Sequence, residues 1–148
     1  MRRIIWFRNR QIDSFLKAVN LKNNGKSVLL DTFWVDYHPY IDVLLTGNDK
    51  DVALEMATLD LKTLVWPDMI IYLKNSEQGT KRFLMAGDRD FDKGDFYRDT
   101  IIPLQAAYQR VSVSVPSSTK FFELDRSAMD FENNQDIQMI IEKINNSI

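Results

Sequence analysis

The segment GKS at positions 25–27 carries the residue types that bind phosphate in nucleotide-hydrolysing and kinase-type proteins. In the pattern G-x-x-x-x-G-K-[ST], the lysine and the backbone N–H groups at the start of a helix surround the phosphates. Asn20 stands where this pattern requires its first glycine, and apolar residues at helical spacing precede the segment instead of following it. We therefore interpret residues 23–25 (NNG) as the end of a helix, with Gly25 in a left-handed conformation.

Few other residues offer metal or acid–base chemistry. The sequence contains one histidine, His38, and no cysteine, so neither a zinc site nor a thiolate nucleophile is expected. Asp36 and Asp42 are near His38 in sequence, and we interpret this histidine as a surface residue rather than a catalytic base. The absence of cysteine also agrees with a cytoplasmic protein, which is the location that we expect.

Length and composition indicate a folded domain of ordinary charge. The chain has 148 residues, of which 45% are hydrophobic and 27% charged, and these values predict a single domain over 1–148 with a sizeable core. The formal net charge is −2 and the basic residues are scattered, which gives no indication of nucleic-acid binding. No apolar run approaches the length of a membrane span, so neither nucleic acid nor a membrane is an expected partner.

Alternating helical and strand patterns predict an α/β fold. The predicted strands are short and uniformly apolar, so both their faces should be covered, which is typical of a mostly parallel sheet flanked by helices in three layers. Pro103 predicts a kink within its helix, and Asn48 is the expected N-cap of another helix. The predicted strands are 27–31, 69–73 and 120–124, and the predicted helices are 5–20, 39–46, 48–63, 77–86, 95–111 and 134–147.

The carboxyl ends of the strands are the expected ligand site, because ligands of open parallel sheets bind beyond these ends. The segments that follow the three predicted strands are DTFW at 31–34, KNSEQ at 74–78 and DRSAMD at 125–130. These segments therefore hold the first candidates for ligand contacts.

Six segments follow one another in an order that is informative as a set. They are FRNRQIDSFLKAV (7–19), GKSVLLDTFW (25–34), PDMIIYL (67–73), TKRFLMAGDRDFD (80–92), FYRDTIIPLQAAY (96–108) and FFELDRSAMDF (121–131). In this order they resemble the C-terminal two thirds of deoxynucleoside kinases and thymidylate kinases, which are P-loop phosphotransferases. The resemblance covers nearly the whole chain.

The resemblance implies transfer of the γ-phosphate of ATP, bound with Mg²⁺, to a deoxynucleoside or its monophosphate. Its catalytic residues would be Asp31, Arg82 and Arg89, with the two arginines in a lid over about 82–95 that closes on the ATP phosphates. A solvated loop held by salt bridges is the alternative for this segment. Thr32 stands where the family carries an arginine that would contact the phosphate being transferred.

The resemblance also implies contacts with the nucleoside. Arg8, Arg10 and Gln11 on the first helix would face it, and an exposed polar helix face is the alternative. The rings of Phe33 and Trp34 would stack on the base, although aromatic residues near strand ends are also common in the core.

After the last predicted strand, the resemblance places one segment against the adenine of ATP. An ordinary turn that leads into a helix is the alternative for this segment. The residues concerned are Asp125, Arg126, Ser127 and Ala128.

The opening unit of the family, a strand followed by the phosphate loop and a helix, has no counterpart before Met1. We therefore expect a kinase-like protein that is inactive alone, and a non-catalytic nucleotide-binding or protein-interaction relative is the alternative. In the family the missing strand lies in the middle of the sheet. A homo-oligomer, or a partner chain that supplies this strand, is therefore also expected.

Overall fold

The computed structural model describes residues 1–87, 97–111, 114–127, 129 and 133–146. In these residues the chain has the α/β class expected from the sequence, with six α-helices and a small parallel sheet of two strands. A 3₁₀ turn (Trp34–Tyr37) precedes the second helix, and a π turn (Tyr97–Ile101) precedes the fifth. The helices are α1 (Arg2–Asn23), α2 (His38–Leu44), α3 (Gly47–Thr63), α4 (Glu77–Gly87), α5 (Ile102–Val111) and α6 (Asn134–Asn145), and the strands are β1 (Met69–Lys74) and β2 (Lys120–Asp125).

The chain divides into two compact units. Unit 1 comprises Met1–Trp66 and Gly94–Pro116, and unit 2 comprises Pro67–Lys93 and Ser117–Ile148. Helices α1, α2, α3 and α5 therefore belong to unit 1, whereas both strands belong to unit 2 together with α4 and α6. Within the described residues, no helix combines the length and the apolar character needed to cross a membrane.

Helix α1 ends as the sequence predicts. The N–H of Gly25 donates to the carbonyl of Lys22 at 2.8 Å, and the N–H of Lys26 donates to the carbonyl of Leu21 at 3.1 Å. This pair of bonds is the Schellman arrangement, which places a left-handed residue after the helix, and Gly25 has a φ of 77°. The helix end at the segment GKS is thereby confirmed, and both N–H groups are occupied within the chain.

The strand predicted over 27–31 is wrong. These residues pair with no strand of the described chain, and the side chain of Leu29 is 89% exposed. Leu30 packs against one of the core clusters of unit 1, so this apolar run is anchored at one side chain rather than covered on both faces. The sheet therefore has two described strands where three were expected.

Two hydrophobic clusters form the core of unit 1. Trp34, Val35 and Phe15 make up one of them, and the ring of Trp66 packs against it. The other joins α1 to α2 and α3, where alanines of α3 permit close helix packing. Its members are Ile4, Tyr37, Ile41, Leu45, Ala53 and Ala57.

Two expectations about helix geometry have different outcomes. The N-cap of α3 is Thr46 rather than Asn48, because the helix already begins at Gly47, so that prediction is wrong. Pro103 lies in the first turn of α5, directly after the π turn. A proline has no N–H to donate, which suits the first turn of a helix, and the predicted kink stays a prediction.

In unit 2, strands β1 and β2 run parallel with a continuous register. Met69 pairs with Lys120, and Lys74 pairs with Asp125. The N–H of Arg126 extends the ladder by donating to the carbonyl of Lys74 at 2.9 Å. The carboxyl ends of the two strands therefore lie side by side, which brings together the segments that follow them.

Candidate functional site

A cleft in unit 1 collects three of the residues that the sequence nominated. Arg10, Gln11 and Asp31 line a cleft of about 290 Å³ between α1 and the segment that follows its C-terminal turn. The complete lining is Trp6, Phe7, Arg10, Gln11, Ser14, Leu30, Asp31 and Thr32. It combines aromatic rings, a guanidinium group, an amide, hydroxyls and a carboxylate, which is the composition of a site for a planar polar ligand.

Two aromatic rings on α1 form one wall of this cleft. The side chains of Trp6 and Phe7 are 55% and 44% exposed, and their rings meet edge to face with centroids 5.2 Å apart. The guanidinium of Arg10 lies 5.3 Å from the centre of the Trp6 ring. Adjacent exposed aromatic rings are unusual on a monomer surface and favour a stacking contact with a ligand.

Gln11 lines the same cleft and has one unsatisfied polar atom. Its Oε1 is buried, and no hydrogen-bond donor of the described residues reaches it. Leaving a buried acceptor without a partner costs about 1–3 kcal/mol. Gln11 is thus a lining residue of the cleft whose buried amide oxygen has no hydrogen bond within the described residues.

The backbone is strained in the segment after α1 that lines the cleft. Thr32 has a φ of 68°, and a β-branched residue in this left-handed region is a genuine outlier. Such a residue costs on the order of 1–3 kcal/mol and persists where the surroundings hold it, which is common at ligand sites. The strain lies at the position where the kinases that the sequence resembles would carry an arginine.

The side chain of Asp36 forms a hydrogen bond with the backbone directly after Thr32. Its Oδ2 accepts a hydrogen bond from the N–H of Phe33 at 3.2 Å, while its own N–H donates to the carbonyl of Phe33 at 3.0 Å. Burial raises the pKa of Asp36 to about 6, and the nearby charge of Asp31 adds to this rise. The Phe33 N–H and hydrogen bonds with the side chains of Thr32 and Tyr108 oppose it.

Arg8 does not belong to the cleft. It donates from Nε to the buried Oδ2 of Asp60 at 2.6 Å and makes a second, short hydrogen bond to Oδ1. The hydroxyl of Tyr37 donates to the same carboxylate at 2.6 Å. Arg8 is thus tied into the core, where it neutralises an acid that is only 2% exposed, and the expected contact with a nucleoside is corrected to a structural ion pair.

Phe33 and Trp34 also face the core, contrary to the expected stacking role. Trp34 is fully buried and donates from its indole N–H to the carbonyl of Val65 at 3.1 Å. The ring of Phe33 contacts those of Phe15, Trp34 and Trp66. Trp34 therefore has no exposed face for a ligand, whereas the ring of Phe33 is partly buried against the same aromatic cluster.

The sequence suggested that His38 lies on the surface, and this prediction is wrong. Its ring packs between those of Trp34 and Tyr37, and its Nε2 is buried with no hydrogen-bond partner in the described residues. Burial lowers the pKa of His38 to about 4, so the imidazole is neutral at physiological pH.

The other nominated residues lie in unit 2. The guanidinium of Arg82 donates to the carbonyl of Ser127 at 3.0 Å, and the N–H of Ser127 donates to the carboxylate of Asp125 at 2.9 Å. The guanidinium of Arg126 lies 4.1 Å from the centre of the Phe83 ring. The segment after β2 and helix α4 are thereby joined beside a second cleft of about 370 Å³, which Ser76, Gln78, Gly79, Arg82 and Ser127 line.

Arg89 and Ala128 lie outside the described residues, as does most of the expected lid over 82–95. Asp31 belongs to unit 1 and Arg82 to unit 2. The expected pairing of Asp31 with the arginines of a lid therefore stays a prediction.

The described residues do not fit the β- and γ-phosphates of ATP at the segment GKS. The N–H groups of Gly25 and Lys26, which a phosphate loop would direct at these groups, donate to carbonyls of α1 instead. Among the described residues, no group of three or more acidic, histidine or cysteine side chains has the arrangement of a metal site.

Three contributors to the cleft were missed in the sequence. Trp6 and Phe7 precede the nominated residues on α1, and Asp36 was considered only as a partner for His38. Trp6 and Arg10 are spaced i, i+4, which places both on one helix face away from the buried Phe15. Aromatic residues on the polar face of an amphipathic helix are the signal that would have found them.

Comparisons with known proteins give no relative. No protein-family model, curated protein or solved structure matches the chain significantly.

Proposed function

We propose that this chain binds a deoxynucleoside or its monophosphate in the cleft of unit 1. The observation that carries the proposal is the pair of exposed rings of Trp6 and Phe7 in a cleft that Arg10, Gln11 and Asp31 also line. A nucleobase offers a flat face for stacking and an edge with hydrogen-bond donors for the amide. Few other small metabolites combine these two features with the hydroxyls of a sugar.

Each lining group then has a definite task. The base stacks on the aromatic wall, and its edge donates to Gln11. Asp31 accepts a hydrogen bond from a sugar hydroxyl, since a carboxylate is an acceptor only. The guanidinium of Arg10 pairs with the phosphate of a monophosphate, for which its planar fork is suited.

In this proposal the chain has the three-layer fold of nucleoside kinases but does not transfer phosphate by itself. The parallel pairing of β1 and β2 supports this scaffold, because the order of segments predicts these two strands. The occupied N–H groups at the segment GKS support binding without phosphoryl transfer.

Isothermal titration calorimetry with thymidine, deoxycytidine and their monophosphates at about pH 7.5 tests the proposal. We expect a saturable signal with at least one of these ligands and loss of that signal in Trp6→Ala, because stacking on an aromatic ring contributes about 1–3 kcal/mol per base. Leu16→Ala is the matched control, since Leu16 is a 49% exposed apolar residue of α1 outside the cleft.

Inorganic phosphate and deoxyribose are the control ligands for the same titration. The proposal is wrong if no nucleoside or monophosphate binds. It is also wrong if inorganic phosphate alone reproduces the signal of the monophosphates, or if Trp6→Ala binds as tightly as the parent chain.

A further inference from the structure

Asp36 is the third residue of the 3₁₀ turn Trp34–Tyr37, and its side chain caps the start of this turn. It does not line the cleft, but its carboxylate holds the N–H of Phe33, which belongs to the peptide that follows Thr32. The orientation of this peptide sets the ψ angle of Thr32, a residue whose φ of 68° is already strained. Asp31 and Thr32 themselves line the cleft, so the carboxylate of Asp36 acts one step behind the ligand-contacting residues.

The surroundings of Asp36 do not fully compensate its charge. The groups that act on it are the carboxylate of Asp31 from the preceding segment, the Thr32 hydroxyl and the hydroxyl of Tyr108 from α5, together with the Phe33 N–H. None of these carries a positive charge, and Asp31 carries a negative one. Asp36 therefore gains a proton more readily than an exposed acid does.

We propose that Asp36 is a positioning residue for the cleft. Its ionised carboxylate holds the Phe33 N–H and the Thr32 hydroxyl, keeps Thr32 in its left-handed conformation and so places Asp31 against the ligand. Protonation removes one of the acceptor groups and releases the turn. The affinity of the cleft for its ligand therefore falls when the solution becomes mildly acidic.

This inference rests on the proposed function, since the ligand that Asp31 contacts is a nucleoside. Thymidine is the suitable probe, because neither its base nor its sugar titrates in mildly acidic solution, whereas a monophosphate has a second pKa of about 6 that would obscure the effect. The Asp36 carboxyl has a pKa of about 6, and linkage then makes binding about tenfold weaker for each pH unit below this value.

The experiment compares three proteins by calorimetry with thymidine between about pH 7.5 and about pH 5. We expect the affinity of the parent chain to fall about tenfold over this range. Asp36→Asn should bind at every pH with the affinity that the parent chain has at about pH 5, since the amide accepts fewer hydrogen bonds. Asp42→Asn is the matched control, because Asp42 is an acid of α2 outside the cleft and pairs with Lys50 and Arg110.

A second measurement does not depend on the ligand. In the free protein, the backbone amide NMR signals of Asp31 and Thr32 should shift with a midpoint near pH 6, and Asp36→Asn should abolish this midpoint while Asp42→Asn preserves it. In Thr32→Gly the glycine adopts the same φ without strain, so the signal of residue 31 should no longer follow Asp36.

The possible outcomes separate this inference from the proposed function. If thymidine and all other nucleosides fail to bind, the proposed function is wrong, and the amide signals alone decide the role of Asp36. A parent chain whose affinity is the same at both pH values contradicts the positioning role. The same conclusion follows if Asp36→Asn retains the pH profile of the parent chain, or if the signals of Asp31 and Thr32 do not respond to pH.

Discussion

Two acids of unit 1, Asp60 and Asp36, are withdrawn from water in very different ways. Asp60 is held by the guanidinium of Arg8 and the hydroxyl of Tyr37, so its charge is neutralised where it is buried. Asp36 has a single backbone N–H and hydroxyl groups around it, with the like charge of Asp31 nearby. The first arrangement stabilises the fold, and the second sacrifices stability at a place that borders the cleft.

The strongest test of this comparison removes the partner of Asp60. We expect Arg8→Met to lower the free energy of unfolding by about 3–5 kcal/mol at neutral pH, because a buried carboxylate then lacks its counter-charge. Urea denaturation followed by circular dichroism measures the change. The double variant Arg8→Met/Asp60→Leu should be more stable than the single variant, and equal losses in both would show that the ion pair is not the cause.

The second test concerns Asp36, whose substitution should raise the free energy of unfolding instead of lowering it. The rise of its pKa from 3.8 to about 6 means that the folded chain holds its proton more tightly than the unfolded chain, so stability falls as pH rises from about 4 to about 6. Asp36→Asn should therefore raise the free energy of unfolding at neutral pH by up to about 3 kcal/mol and have little effect below about pH 4. Denaturation at several pH values checks this, and a variant that is less stable than the parent at neutral pH would contradict it.

The third test asks whether a residue that lines the cleft also lowers the stability of the fold. Gln11→Leu removes a buried acceptor that has no partner in the described residues and retains the approximate size of the side chain. We expect a gain of about 1 kcal/mol in unfolding free energy together with loss of nucleoside binding. Thermal unfolding and calorimetry on the same sample measure both effects, and a loss of stability would mean that Gln11 already has a partner.

The smallest effect is expected at Lys26. Its N–H closes the end of α1, but this bond involves the backbone, so Lys26→Ala should leave both stability and nucleoside binding within about 0.5 kcal/mol of the parent values. The parent chain alone should not release ADP from ATP in a coupled assay. ATP turnover that disappears in Lys26→Ala would show that the segment GKS binds phosphate after all.

The sequence predicts those parts of the molecule that local rules determine. The end of α1 follows from glycine and helical spacing, and the segments 69–73 and 120–124 form strands because both are short apolar runs between helices. The run at 27–31 looks similar but pairs with no described strand, since its residues contact the core through Leu30. Periodicity does not distinguish a buried strand from an apolar loop of the same length.

The site was less predictable, because it depends on contacts between residues distant in sequence. Arg8 and Arg10 are both arginines on one helix, yet Arg8 serves the core and Arg10 the cleft. The difference is decided by Asp60, which is 52 positions from Arg8 and which no local pattern connects to it. In the same way, nothing in the local sequence indicates that Trp34 is fully buried, because its contact with Val65 joins residues 31 positions apart.

One side of helix α1 packs against the core, and another side lines the cleft, so the two sides can be changed separately. Positions that differ by two residues point about 200° apart around a helix, so side chains at 8 and 10 are directed away from each other. Changes at 7, 10 and 14 would reshape the cleft while leaving the core contacts of Ile4, Arg8 and Phe15 in place. A small library at these three positions would vary the lining of the cleft while retaining the core contacts of α1, which makes this helix the place to alter the proposed nucleoside binding.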